Sequence, residues 1–434
     1  MFKPELLSPA GTLKNMRYAF AYGADAVYAG QPRYSLRVRN NDFKMENLAT
    51  GIEEAHALGK KLYVVSNIAP HNAKLKTYIK DMDPVVAMKP DALIMSDPGL
   101  IMMVREAFPE QVVHLSVQAN AINWASVKFW QTQGIKRVIL SRELSLDEIE
   151  EIRQRCPDIE LEVFVHGALC MAYSGRCLLS GYINKRDPNQ GACTNSCRWP
   201  YQLHDATEDE AGQFKPISTP ALLEEQGRPG ELMAIDEDIH GTYILNSKDL
   251  RAVEHVPALI AMGVHSLKIE GRTKSAYYVA RTAQVYRQAI DDAAAGKSFD
   301  YSLLSQLEGM ANRGFTEGFL RRHKPQDTQN YTTSHSVGQQ LLVGEFIAGQ
   351  DEHGFALLEV KNQFAVGDTL VLMTPQGNSS FTLQALYDKH NNAILLAPGA
   401  CYQVKVKLPK QQELRYCMLL KQLADVSSVN AAAS

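Results

Sequence analysis

Gln133-Gly134-Ile135-Lys136-Arg137-Val138-Ile139-Leu140 carries the pattern that decides the fold: a helix end marked by glycine, two linking residues, then a short apolar strand. The same phrase recurs as Tyr22-Gly23-Ala24-Asp25-Ala26-Val27-Tyr28 and as Met262-Gly263-Val264-His265-Ser266-Leu267-Lys268-Ile269. Glycine suits the left-handed position at a helix C-terminus, and the β-branched run after it suits a buried parallel strand. Extended along the chain, the pattern predicts eight strands: 5–8, 26–30, 62–67, 92–97, 113–118, 137–142, 162–166 and 266–270. Amphipathic stretches separate most of them. One is 146–156, opened by Ser145 with Glu148 three residues on, a capping box. Eight βα units over about 290 residues suit an α/β fold of the TIM-like (β/α)8 barrel type. A doubly wound open sheet fits less well, because its Gly-rich phosphate fingerprint is absent.

Between the last two strands lie about 100 residues, far more than an ordinary connection. The barrel is therefore expected over 1–335, with a long insertion at 167–265 that would sit over the active-site face. From 336 the character changes to short alternating strands at 343–347, 356–360, 369–373, 380–386, 393–396 and 404–408, with turn signals between them. They predict a small antiparallel β-barrel domain over 336–420, and 421–434 is expected to be a flexible tail.

The chain has 434 residues with 45% hydrophobic and 21% charged content, which excludes a mostly disordered protein. No apolar run approaches the ~20 residues needed to span a bilayer, and residues 1–5 lack an apolar leader, so a cytoplasmic protein is expected. Net charge is −3. Ten Asp/Glu against two Lys/Arg fall between Leu203 and His240, which leaves the remainder net basic. Global charge neither requires nor excludes a nucleic-acid partner.

Four of the seven cysteines fall within 28 residues, spaced Cys170-x6-Cys177-x15-Cys193-x3-Cys197. Clustered thiolates in a reducing compartment hold metal more readily than they form disulfides. Structural zinc uses paired C-x2–4-C knuckles, and only the second pair fits. The apolar, glycine-rich surroundings favour an iron–sulfur cluster, with zinc and metal-free buried cysteines as the alternatives. The C-x3-C-x2-C spacing of radical S-adenosylmethionine enzymes is absent. Cys156, Cys401 and Cys417 read as small core hydrophobes.

The stretch Glu162-Val-Phe-Val-His166-Gly-Ala-Leu-Cys170-Met-Ala-Tyr-Ser-Gly175-Arg176-Cys177-Leu-Leu-Ser180 resembles the signature of unclassified-peptidase family thirty-two, the collagenase-like peptidases. Glu5-Leu-Leu-Ser-Pro9-Ala-Gly11, Ser96-Asp97-Pro98-Gly99, Asn246-Ser-Lys248-Asp249-Leu250 and Ser266-Leu-Lys-Ile-Glu270-Gly-Arg272 extend that resemblance from about Phe2 to His323. The C-terminal part is similar to the branch that uses prephenate to make 5-hydroxyuridine at the wobble position of tRNA. The resemblance implies a 4Fe–4S cluster on Cys170, Cys177, Cys193 and Cys197. It also implies prephenate as the oxygen-donating co-substrate and tRNA as the partner; no membrane partner is expected, since no apolar run is long enough.

Residues at the C-terminal ends of barrel strands face the site: Asn67, Asp97, Gln118, Asn120, Arg142, Glu143, His166, Glu270 and Arg272. A dicarboxylate asks for forked cationic donors, which arginine supplies. The expected catalytic residues are His166, Glu270 and Arg142. The expected substrate contacts are Arg176 and Arg272, with Arg37, Arg39 and Arg198 for RNA, where cations interleave with Tyr34 and Trp199. The bland alternatives are loop-orienting pairs, Arg142–Glu143 and Glu270–Arg272, and a His166 satisfied within the barrel. Two other functions compete. A peptidase would need a nucleophile with its base, yet neither H-E-x-x-H nor G-x-S-x-G occurs. A metal-stapled RNA-binding protein without catalysis is the third reading.

Overall fold

The computed structural model describes residues 2–36, 42–170, 187–190, 248–310, 312, 314–321, 340–409 and 413–423. It also describes 172–173, 176–177, 179–180 and six short strands between 205 and 242.

All eight expected strands form. They are β1 (Glu5–Ala10), β2 (Ala26–Gly30), β3 (Lys61–Ser66), β4 (Ala92–Met95), β5 (Val113–Leu115), β6 (Arg137–Ile139), β7 (Glu160–Ala168) and β8 (Ser266–Ile269). Each pairs in parallel with its neighbour in chain order. β8 closes the ring by pairing with both β1 and β7. The glycine phrase works as read: Gly23, Gly134 and Gly263 have φ of 100°, 77° and 79°, left-handed values that end the preceding helix.

Helices clothe the ring: α1 (Leu13–Ala21), α2 (Met45–Ala57), α3 (Asn72–Ala87), α4 (Pro98–Ala107), α5 (Trp124–Thr132), α6 (Leu146–Arg155), α7 (Val256–Ala261) and α8 (Ala276–Ala294). The Ser145/Glu148 capping box opens α6 with both hydrogen bonds in place. Ile149 and Ile152, on one face of that helix, are buried in the barrel core. The insertion leaves β7 and returns through a strand at Asp249–Arg251, which runs antiparallel to the end of β7.

The C-terminal domain is a seven-stranded antiparallel sheet. Its strands are β9 (Gln340–Gln350), β10 (Phe355–Val360), β11 (Thr369–Thr374), β12 (Gly377–Thr382), β13 (Leu386–Asp388), β14 (Gln403–Lys407) and β15 (Met418–Gln422). Their order is β12-β11-β15-β9-β10-β14-β13. The expected strand at 380–386 is two strands, β12 and β13. The expected tail boundary is corrected as well, because Lys421 and Gln422 lie within β15, where Lys421 pairs with Leu341 and Leu370. The rest of that tail, 424–434, lies outside the described residues.

β11 and β15 are buried on both faces. Leu370, Leu372 and Leu419 point into the domain's own core, while Val371, Met373, Met418 and Leu420 join the barrel core. Their unbroken apolar runs follow from this two-sided burial. Across the seam the Tyr22 hydroxyl donates to the carbonyls of Met373 and Tyr416, and Lys14 pairs with Glu345 at 2.6 Å.

Candidate active site at the barrel mouth

Charged side chains inside a parallel barrel are unexpected, and here they form a column. At the end where the strands begin, the Arg137 guanidinium bonds Glu5 at 2.6 Å, Glu160 at 2.8 Å and Glu162 at 3.2 Å. The Tyr63 hydroxyl donates to Glu5 at 2.7 Å. Burial alone would push the Glu5 carboxyl up, but Arg137 more than offsets this and holds it below the usual carboxylate range. One layer higher, Lys268 bonds Glu162 at 2.7 Å and lies 4.3 Å from the centre of the Tyr28 ring. Burial pulls the Lys268 ammonium down, and Glu162 opposes that shift.

The mouth follows. The Arg142 guanidinium lies 3.8 Å from the centre of the Phe164 ring, and its Nη2 bonds Glu270 at 3.0 Å. Arg142 is only 9% exposed at its side chain, so its charge acts in a poorly solvated place. Two of the expected catalytic residues, Arg142 and Glu270, are therefore brought together, from β strands six and eight of the ring. Arg142 is partnered by Glu270; Glu143 accepts instead from Ser141.

His166 does not join them. The register between β7 and β8 slips so that Lys268 opposes Phe164 while Ile269 opposes His166. This bulge turns the imidazole out of the lumen, among the rings of Tyr278, Tyr286 and Phe315 at 5.5–5.8 Å. Burial drives its pKa down to about 3, so it is neutral at physiological pH. As a mouth-facing proton relay, His166 is corrected to a core histidine. Arg272 is also redirected: its guanidinium bonds the Leu36 carbonyl and, at 3.4 Å, Ser35, holding the 31–36 loop to the barrel rim. Asn67 bonds the same loop through Leu36 N–H at 3.1 Å and Ser116 at 3.1 Å. Asp97 caps α4 through Leu100 N–H.

Buried neutral histidines make stability fall in acid. The folded protein keeps His166 unprotonated down to about pH 3, whereas the unfolded chain takes up the proton near pH 6.5. Stability is thus intact above ~6.5 and declines as pH drops below it, by about 1.4 kcal/mol per unit for this residue. His114, fully buried with its pKa well lowered by burial, adds in the same direction. Urea unfolding at pH 7.5 and pH 5.0 is expected to show a loss of about 2 kcal/mol from His166 alone. His166→Gln should remove that portion of the slope, and an unchanged slope would count against a neutral buried ring.

The cysteine loop leaves from the end of β7. At Gly167 φ is +107°, and a Cβ there would lie 2.6 Å from the Glu270 carbonyl oxygen and 2.9 Å from the Tyr278 hydroxyl. Only glycine lets β7 pass so close to β8 just before Cys170. Cys170 is exposed, Cys177 half-buried, and both are free thiols. The loop is anchored across the mouth: Asn189 bonds the Cys177 carbonyl at 3.1 Å and, through its own carbonyl, the Ala69 N–H at 3.0 Å. Arg176 is exposed within this loop. Cys193, Cys197, Arg198, Arg37 and Arg39 lie outside the described residues. By contrast, burial raises the Cys156 thiol, and burial with Glu413 pushes Cys417 up to about 11. Those two stay protonated and make poor metal ligands.

Sequence reading missed Tyr28, Phe164, Glu162 and Lys268. A usable signal was present, because glutamate and lysine in the middle of parallel strands break the apolar run such strands require.

The profile described as Peptidase family U32 matches residues 11–330, and the one described as Peptidase family U32 C-terminal domain matches 339–421. The chain is 65% identical to tRNA hydroxylation protein P of Escherichia coli, covering 99% of both chains. It is 61% identical to the protein of that name in Haemophilus influenzae, covering 99% of this chain and 98% of that one. With tRNA hydroxylation protein P1 of Bacillus subtilis it shares 36% identity over 94% of this chain and 93% of that one. Among the described residues no helix is long and apolar enough to cross a membrane.

Proposed function

The chain belongs to peptidase family U32, and from that premise we propose that it is a tRNA-modifying enzyme that hydroxylates the wobble uridine to 5-hydroxyuridine without O2. The single observation carrying this reading is the 65% identity, end to end, with a tRNA hydroxylation protein. Prephenate is the proposed oxygen donor, and a 4Fe–4S cluster on Cys170, Cys177, Cys193 and Cys197 the proposed cofactor. The donor chemistry suits it as far as it is described: Cys170 and Cys177 are unpaired thiols with solvent access at the mouth. When bound, such a cluster supplies one-electron redox chemistry.

The chain's own residues supply recognition. Arg142, over the Phe164 ring and oriented by Glu270, keeps Nη1 and Nε without a bond among the described residues. These donors point to a carboxylate, and the weakly solvated site strengthens the attraction. Arg272 closes the rim by fixing the 31–36 loop, which leads into Arg37 and Arg39. Arg176 and Arg198 would meet RNA from the cysteine loop. Proteolysis is less well supported: His166, the histidine nearest in sequence to Cys170, is neutral and faces away from the mouth.

The test is nucleoside analysis of tRNA from a strain lacking this chain and any parallel route. Loss of 5-hydroxyuridine derivatives is expected, and their persistence would overturn the reading. Anaerobic purification with iron and sulfide analysis tests the cofactor separately; a zinc-loaded or metal-free protein would remove it.

A further inference from the structure

The outer face of the C-terminal sheet carries cations and rings that the barrel site does not use. β10 and β14 pair so that Phe355 opposes Lys407, Leu357 opposes Lys405 and Glu359 opposes Gln403. Alternate residues Ala356, Leu358, Val404 and Val406 fill the domain core, so the opposed set faces outward. Tyr387 of β13 joins the row beside Lys405. The Tyr387 and Phe355 rings meet edge to face at 5.2 Å, and the Lys407 ammonium lies 5.7 Å from the centre of the Phe355 ring. Lys405 donates to the neutral Asn391 side chain at 2.6 Å. Among the described residues neither lysine has a carboxylate within ion-pair distance, unlike Lys361, which bridges Glu345 and Glu359.

One end of this row touches the barrel. Glu345 of β9 directly opposes Glu359 of β10 and so shares the outward row. Its carboxylate binds Lys14, in the first turn of α1, the helix that starts where β1 ends at the mouth. The outward row thus runs from the acidic Glu345 and Glu359 to the cationic Lys405 and Lys407 of β14, one strand farther from β9.

The geometry points to an RNA-binding face on β10, β13 and β14, on which Lys405 and Lys407 contact backbone phosphates while Phe355 and Tyr387 pack against ribose or base. An antiparallel sheet presenting aromatic rings between cations is a surface that single-stranded or looped RNA can stack on, since every base offers a π-face. Two lysines without counter-ions lose little on meeting phosphate, because no internal ion pair has to break. The occupant is the tRNA of the proposed reaction, held beyond the nucleotide in the mouth; the inference rests on that reading for the identity of the RNA.

Full-length protein, titrated with an unmodified tRNA transcript over a NaCl series, tests this face. Lys405→Gln/Lys407→Gln is expected to bind about tenfold more weakly at 0.1 M salt, with the log–log salt slope less negative by about 1.5–2. Lys89→Asn/Lys136→Gln, which removes two exposed charges near the starts of β4 and β6 at the opposite end of the barrel, should change neither. Unchanged affinity and slope for the Lys405/Lys407 variant would overturn the face, as would equal losses for both double variants. Either failure leaves tRNA hydroxylation standing, since that is read from cellular nucleosides rather than from binding.

Discussion

Cys177→Ser, expressed in a strain lacking the chromosomal copy and any parallel route, is expected to lower 5-hydroxyuridine in tRNA by about a hundredfold or more, to the level of the empty strain. The thiolate is the ligand form, and a hydroxyl at the same place is a far poorer donor to iron. Cys170→Ser should do the same, and both anaerobically purified variants should lose iron relative to wild type. The contrast lies in the other cysteines. Cys156 is buried and donates to the Trp124 carbonyl at 3.5 Å, and Cys417 is buried against the 413–415 turn. Serine at either should leave the modification within about threefold of wild type while costing some stability, as a buried small hydrophobe would. If Cys177→Ser kept full modification and full iron, the proposed ligand set would be wrong. If it kept iron but lost modification, the residue would belong to the chemistry rather than to the cluster.

Arg137→Met is expected to destabilise the barrel by about 3–5 kcal/mol, the usual penalty for leaving buried charges without their partner. Three carboxylates converge on this guanidinium, and Glu162 is wholly buried. Lys268 would remain on Glu162 and Lys61 on Glu5, so the structure would lose the centre of the network and keep its ends. Urea unfolding at pH 7.5 measures the loss. Arg155→Ala supplies the scale: its pair with Glu151 is half-exposed on both sides and joins adjacent turns of α6. Removing that pair should cost no more than about 0.5 kcal/mol. Equal effects of the two variants would mean that the lumen is far better solvated than its burial implies.

Much of the architecture was readable because the signals were local. A glycine after a helix, as at Gly23, Gly134 and Gly263, and a short apolar run need no knowledge of distant partners, and all eight strands lie where those runs occur. β15 escaped notice because its Met418-Leu-Leu sits next to a polar, small-residue end and lacks alternation. It is central in its sheet and buried on both faces, so alternation was never required. The site was readable in part. Arg142 and Glu270 stand at strand ends, as barrel geometry demands, whereas His166 sits at an equivalent position and points elsewhere. A one-residue register slip between two strands 100 residues apart in sequence produced that difference.

From its sequence alone, then, this protein is bound to fold as a closed parallel ring, since period, glycine placement and loop length act within a few residues of each other. The cysteine spacing likewise marks where chemistry is sought. Which charges meet inside the ring was settled only by closure. Glu5, Arg137, Glu162 and Lys268 come from β1, β6, β7 and β8, well separated along the chain, and they attract one another strongly because the lumen that gathers them also excludes water.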